Sequence, residues 1–211
     1  MEGQPSVTGI VLAGGRSERF GEEFKAGATL DGHSLIERVV RSVRASTGNR
    51  PVVAAGPHDK RTVVENALVS AGPVRFVTDA DWCSGPVAGL CAAVDVISTD
   101  HVFVCGCDMP LLSPAAVSWL LSLHSDSDVD ATIPVDSTGC RQPLHGVYRR
   151  STLAAQCDRQ HGSNSLHAFV SGLSVRCVEP SSVPDCLSLE ASMTNVNTRE
   201  RLDALRQRPE D

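Results

Sequence analysis

Two rhythms alternate along the chain. Short continuous apolar runs are followed by longer stretches in which apolar residues return every three or four positions. The run "VTGIVLA" (7–13) ends in Gly14-Gly15 and reads as a strand buried on both faces. In "SLIERVVRSVRAS" (34–46), Leu35, Ile36, Val39, Val40 and Val43 share one helical face with arginines opposite. The alternation continues with strands over 50–56 and 74–78 and helices over 59–72, closed by Gly72, and over 85–98, with Pro86 in its first turn. "HVFVCGCD" (101–108) reads as the central strand, and Ser113 and Pro114 open a helix over 113–124. Strands over 130–135, 142–149 and 174–179 follow, with helices over 151–160 and 164–172. A terminal helix over 197–207 is capped by Asn197 or Thr198.

Short turns between alternating strands and helices predict one α/β domain, a doubly wound, mostly parallel sheet with helices on both faces. No linker, repeat or low-complexity segment divides the 211 residues. Ligands of such sheets bind at the carboxyl ends of the strands, where strand order reverses. Those ends carry Gly14, Gly15, Arg16, Arg19 and Lys25 after the first strand, Asp79 and Asp81 after the third, and Asp108 after the fourth.

Glycines let backbone N–H groups approach phosphate oxygens, and arginine and lysine offset the charge that builds up when a phosphoanhydride is attacked. An aspartate at a strand end offers Mg²⁺ a hard oxygen ligand. Together these residue types fit nucleotidyl transfer. Taken singly, each has a plain structural explanation: a turn, a capping aspartate, solvated loop charges. Their placement on one sheet edge favours the site. The chain contains neither GxxxxGK[ST] nor a GxGxxG after the first strand, which argues against a P-loop enzyme and a dinucleotide-binding oxidoreductase.

A net charge of −6 disfavours nucleic acid as a partner. No apolar run is long enough for a membrane span, and the first residues lack the features of a signal peptide, so the expectation is a cytoplasmic protein. Eight cysteines without any CxxC are expected as buried or half-buried thiols, in neither a metal cluster nor a disulfide framework. His161 and His167, six apart, make a weak zinc signal. Lys25 and Lys60 are the only lysines among nineteen basic residues.

"LAGGRSERFG…K" resembles the signature of the Rossmann-like nucleotidyltransferases. With "GPVAGLCAAV", "CGCDMPLLS", "QPLHGVYRR" and "TNVNTRERL" in this order, nearly the whole chain is similar to the MobA-type molybdenum cofactor guanylyltransferases. The resemblance implies GTP and Mo-molybdopterin as substrates, Mg²⁺ as cofactor, and transient contacts with cofactor-synthesis proteins or molybdoenzyme chaperones. By position, it implies that Leu12, Ala13, Gly14 and Gly15 wrap the nucleotide and that Lys25 and Arg19 face its phosphates. Asp79 would help hold the guanosine, and Asp108 would ligate Mg²⁺. Gln142, Pro143, Asn195 and Asn197 would lie toward the pterin, so that residues 1–110 form the nucleotide part and 111–211 the acceptor part.

Gly14 fits GTP, since CTP-using relatives tend to carry alanine there. Phe24 stands where the family commonly has aspartate before the lysine, so that carboxylate contact is either missing or supplied by Glu22 or Glu23. "VVAAGPH" lacks the asparagine placed near the base, leaving backbone groups to recognise guanine there, and "GATLDG" replaces a more apolar segment. Another phosphate acceptor (cobinamide phosphate or phospholactate), a cytidylyl donor, and a non-catalytic nucleotide-binding module remain alternatives.

Overall fold

A computed structural model describes residues 6–15, 20, 25–56, 58–159 and 165–207, with backbone alone at 58 and 59. Chain order begins with β1 (Val7–Leu12), a single 3₁₀ turn (Lys25–Gly27), and a short hairpin of β2 (Thr29–Leu30) and β3 (His33–Ser34). Then come α1 (Leu35–Thr47), β4 (Val52–Ala54), α2 (His58–Ala67), β5 (Arg75–Val77), α3 (Gly85–Val94) and β6 (His101–Gly106). The second half holds α4 (Pro114–Ser125), β7 (Ala131–Pro134), β8 (His145–Arg149), α5 (Arg150–Arg159) and α6 (Leu166–Val170). It closes with β9 (Val175–Val178), α7 (Leu189–Ser192) and α8 (Arg199–Arg206).

Among the described residues, seven strands form one sheet in the order β5-β4-β1-β6-β8-β7-β9. β1 pairs in parallel with both β4 and β6, and β4 with β5. β8 alone runs against the rest, antiparallel to both β6 and β7. From β1 the chain steps outward through β4 to β5 and then returns to the other side of β1 as β6. The strand order therefore reverses between β1 and β6, and a crevice opens at their carboxyl ends.

Alternation along the strands sorts the core into two layers. Val11, Val53, Phe103 and Cys105 face α1, α2 and α4, while Ile10, Leu12, Val52, Val102 and Val104 face α3, α5 and α6. Gly9 explains how closely α1 sits on β1: a Cβ there would fall 1.9 Å from a Val43 methyl carbon. The helix starts are set by local chemistry. Ser34 accepts from the Glu37 N–H and Ser113 from the Ala116 N–H, so both open their helices as N-caps. A third, smaller cluster (Phe20, Leu30, Leu35, Val196, Leu202, Leu205) clamps α8 against the hairpin.

The expected fold class therefore holds, with local differences. The strand expected over 142–149 starts only at His145, because a turn closed by the His145 N–H on the Gln142 carbonyl precedes it, and its reversed direction left no trace in the apolar pattern. The helix expected over 59–72 stops at Ala67; Gly72 sits in the loop beyond it at φ +79°, against the Arg44 guanidinium. The helix expected over 85–98 stops at Val94. Thr198, not Asn197, caps the last helix, accepting from the Arg201 N–H.

The cysteine expectation needs correction. Cys91 on α3 and Cys157 on α5 form a disulfide with Cα atoms 5.6 Å apart, and Cys140 and Cys186 are exposed. The two helices pack on the same sheet face, a juxtaposition of residues 66 apart that local spacing does not encode. No described helix is long and apolar enough to cross a membrane.

Candidate active site

At the β1–β6 crevice lies a cleft of about 950 Å³. Its floor is made by close backbone contact. The carbonyl of Leu12 accepts from the Cys107 N–H (3.0 Å) and the Ala13 N–H donates to the Ala54 carbonyl (2.8 Å), which locks the ends of β1, β4 and β6 together. Gly14 then crosses Gly56, which has φ +75°. A Cβ on Gly56 would come within 2.7 Å of the Gly14 Cα, so this crossing requires glycine.

Lys25 enters from the 3₁₀ turn. Its Nζ lies 2.5 Å from Asp108 Oδ2 and 2.5 Å from Asn197 Oδ1, and the lysine and aspartate side chains are only 12% and 16% exposed. Asp108 is held just past β6, where its carbonyl accepts from the Val196 N–H (2.8 Å). That backbone bond brings the segment before α8, and Asn197 with it, to the cleft.

On the opposite wall, the Asp79 carboxyl is wedged between Gly14 and Gly89; a Cβ on either glycine would lie 3.1 Å from one of its oxygens. Asp79 Oδ1 is buried and has no hydrogen-bond partner among the described residues. Desolvation raises its pKa, opposed by the Gly56 N–H and the nearby Lys60 charge. A half-buried carboxylate lining a cleft is suited to a ligand's N–H or O–H groups. Beside Asp108, the Cys107 thiol is pushed up to about 12 by burial and by the aspartate charge, so it stays protonated.

Of the expected site residues, Leu12, Ala13, Gly14, Gly15, Lys25, Asp79, Asp108 and Asn197 line this cleft. Gln142 and Asn195 do not. Gln142 Nε2 donates to Asp136 (2.6 Å) in a turn that also lowers the Asp136 pKa to about 2, chiefly through Thr138. Asn195 Nδ2 donates to the Met193 carbonyl (3.4 Å), and the Pro143 carbonyl accepts from the Tyr148 hydroxyl (2.7 Å). Arg16, Arg19, Glu22, Glu23, Phe24 and His161 lie outside the described residues.

Sequence reasoning passed over Lys60 and Leu144, which also line the cleft. Lys60 was legible through lysine scarcity: both lysines of the chain reach this one site. Leu144 had no such signal, since only the reversed β8 brings it there.

The chain matches known proteins along most of its length. The family model of the MobA-like NTP transferase domain matches residues 9–177. A molybdenum cofactor guanylyltransferase from Desulfosudis oleivorans is 30% identical over 203 residues, covering 94% of this chain and 93% of that protein. A probable molybdenum cofactor guanylyltransferase from Haloferax mediterranei is 32% identical over 201 residues, covering 95% and 93%. The crystal structure of molybdopterin-guanine dinucleotide biosynthesis protein A from Archaeoglobus fulgidus shares the fold, with a TM-score of 0.75 over 95% of this chain and 97% of that one at 24% identity. A family match running from within β1 to within β9, with identity of 30% or more along nearly all of two guanylyltransferases, makes this chain a nucleotidyltransferase of the MobA-like family, among the molybdenum cofactor guanylyltransferases.

Proposed function

We propose that the chain transfers GMP from GTP to Mo-molybdopterin, forming molybdopterin guanine dinucleotide and pyrophosphate. The observation that carries this reading is the meeting of Lys25, Asp108 and Asn197 at the carboxyl ends of β1 and β6, beside the glycine turn. Nucleotidyl transfer needs a cation and a metal carboxylate around a phosphate cradle. The acceptor's phosphate oxygen attacks the α-phosphorus of GTP as the bond to the β-phosphate oxygen breaks, and pyrophosphate leaves with the electron pair. A phosphate monoester is mostly dianionic near pH 7, so the attacking oxygen requires no general base.

In this reading the N–H groups of Gly14 and Gly15 hold phosphate oxygens. Lys25 follows the charge that moves onto the departing pyrophosphate, and Arg19 assists it. Leu12 and Ala13 shape the floor, and the Asp79 carboxylate orients the guanosine. The Asp108 carboxylate fits Mg²⁺: it already attracts a cation, the Lys25 ammonium, at 2.5 Å. Among the described residues no three metal-ligating side chains form a cage. When bound, Mg²⁺ supplies charge withdrawal from the phosphates. Residues 1–110 would serve the nucleotide and 111–211 the acceptor, with Gln142, Pro143, Asn195 and Asn197 toward the pterin. The cleft lining supports the first half of that division, since Leu144 and Asn197 are its only described members beyond residue 110. Product hand-over to cofactor-synthesis proteins or molybdoenzyme chaperones belongs to the same proposal.

The test is a nucleotide-by-acceptor screen with Mg²⁺, following pyrophosphate release. GTP with Mo-molybdopterin is the expected active pair. Preference for CTP, or for cobinamide phosphate or phospholactate, overturns the assignment.

A further inference from the structure

Lys60 belongs to the first turn of α2, yet its ammonium reaches back to the glycine turn, 3.0 Å from the Gly15 carbonyl oxygen and 3.4 Å from that of Gly14. A cation in a helix's first turn opposes the helix dipole, so helix stability does not account for its position. The backbone groups around the turn divide cleanly. The Leu12 carbonyl is taken by Cys107, the Ala13 N–H by Ala54, and the Gly14 and Gly15 carbonyls by Lys60. Among the described residues the N–H groups of Gly14 and Gly15 have no acceptor. In a planar trans peptide the N–H points opposite to the C=O. Drawing the Gly14 carbonyl to Lys60 therefore turns the Gly15 N–H the other way.

We propose that Lys60 is a positioning residue for nucleotide binding: by holding both glycine carbonyls it fixes the turn so that its N–H groups are presented to phosphate. This rests on the guanylyltransferase reading and assigns no contact between Lys60 and the base. Lysine suits the task because a compact ammonium with three donors can serve two adjacent carbonyls. The chain otherwise relies on arginine, and it places both of its lysines here.

The test compares wild type, Lys60→Met and Lys60→Arg by isothermal titration with pyrophosphate, GTP and guanosine in Mg²⁺, without acceptor, beside thermal melts. Lys60→Met should weaken pyrophosphate and GTP by about tenfold, the effect of losing charge-assisted hydrogen bonds. It should leave guanosine affinity within twofold and the melting temperature nearly unchanged. Lys60→Arg, keeping charge and donors, should recover most of the loss. In turnover, Lys60→Met should raise the KM for GTP by a similar factor while kcat falls less than threefold. Unchanged phosphate binding in Lys60→Met would refute the proposal. So would an equal loss for guanosine, or an arginine variant as weak as the methionine one. The titrations need no acceptor, so an enzyme that failed to make the dinucleotide would remove the function proposed above and leave this measurement decisive.

Discussion

Lys25 and Asp108 are 83 residues apart in sequence, and their charged atoms meet at 2.5 Å with Asn197 beside them. Asp108→Asn keeps the shape and removes the charge proposed above to hold Mg²⁺. Pyrophosphate release should fall by about 10²–10³-fold or more, with an unchanged circular dichroism spectrum. Lys25→Ala should cost a comparable factor, since in the proposed reaction it removes the cation that meets the phosphates. Asp79 should behave differently, because its raised pKa marks a carboxylate that the fold holds at a cost. The unfolded chain releases that proton at lower pH, so the ionised group destabilises the empty protein once pH exceeds its ordinary value of 3.8. Asp79→Asn should therefore raise the melting temperature at pH 7 while weakening nucleotide binding in titrations. Residues of this kind were readable because hard chemistry at strand ends leaves a mark. Asp108 and Asp79 each sit just beyond an apolar run, and Lys25 is a rare lysine in the loop that follows the glycine turn. Gln142 and Asn195 were named through resemblance alone, and their side chains serve local turns.

At the scale of elements, the site depends on how closely the first and second parallel strands turn past each other. Gly56 is left-handed and its missing Cβ leaves room for Gly14, so Gly56→Ala should destabilise the fold by about 1–3 kcal/mol in denaturant unfolding. Gly14→Ala is milder for the fold. Its Cβ would lie 3.1 Å from both Asp79 Oδ2 and the Gly56 Cα, narrowing the nucleotide floor. GTP affinity should then drop more than CTP affinity, as competition binding would show. The strand and helix sequence through residue 125 was legible because a buried parallel strand and an amphipathic helix leave distinct apolar patterns. The two-residue strands β2 and β3 and the single-turn helix α7 lack an apolar run long enough to show either period. The direction of β8 and the Cys91–Cys157 disulfide depend on tertiary packing, which neither pattern nor spacing records.

Across the whole molecule, two buried imidazoles set the acid limit. Burial lowers His145 to about 3, and burial with the neighbouring His101 lowers His124 to about 4, from an ordinary 6.5. Unfolded histidines take up protons near 6.5 while these resist, so the unfolded state binds more protons between about 6.5 and 3. Stability is complete above that window and falls as pH drops through it. His145→Leu should flatten this acid limb in urea titrations between pH 6.5 and 3.5, even if it lowers stability at pH 7. The central claim concerns the cleft: one parallel-sheet edge that gathers the glycine turn, both lysines and Asp108 is built to move a guanylyl group onto a phosphorylated pterin. The most direct measurement incubates the purified protein with Mg²⁺, Mo-molybdopterin and equal GTP and CTP, and quantifies the two dinucleotide products by mass spectrometry. The guanine dinucleotide should dominate by at least about tenfold, with stoichiometric pyrophosphate and about 10²-fold less product or lower from Asp108→Asn. Dominance of the cytosine dinucleotide, or an Asp108→Asn variant as active as wild type, would contradict it.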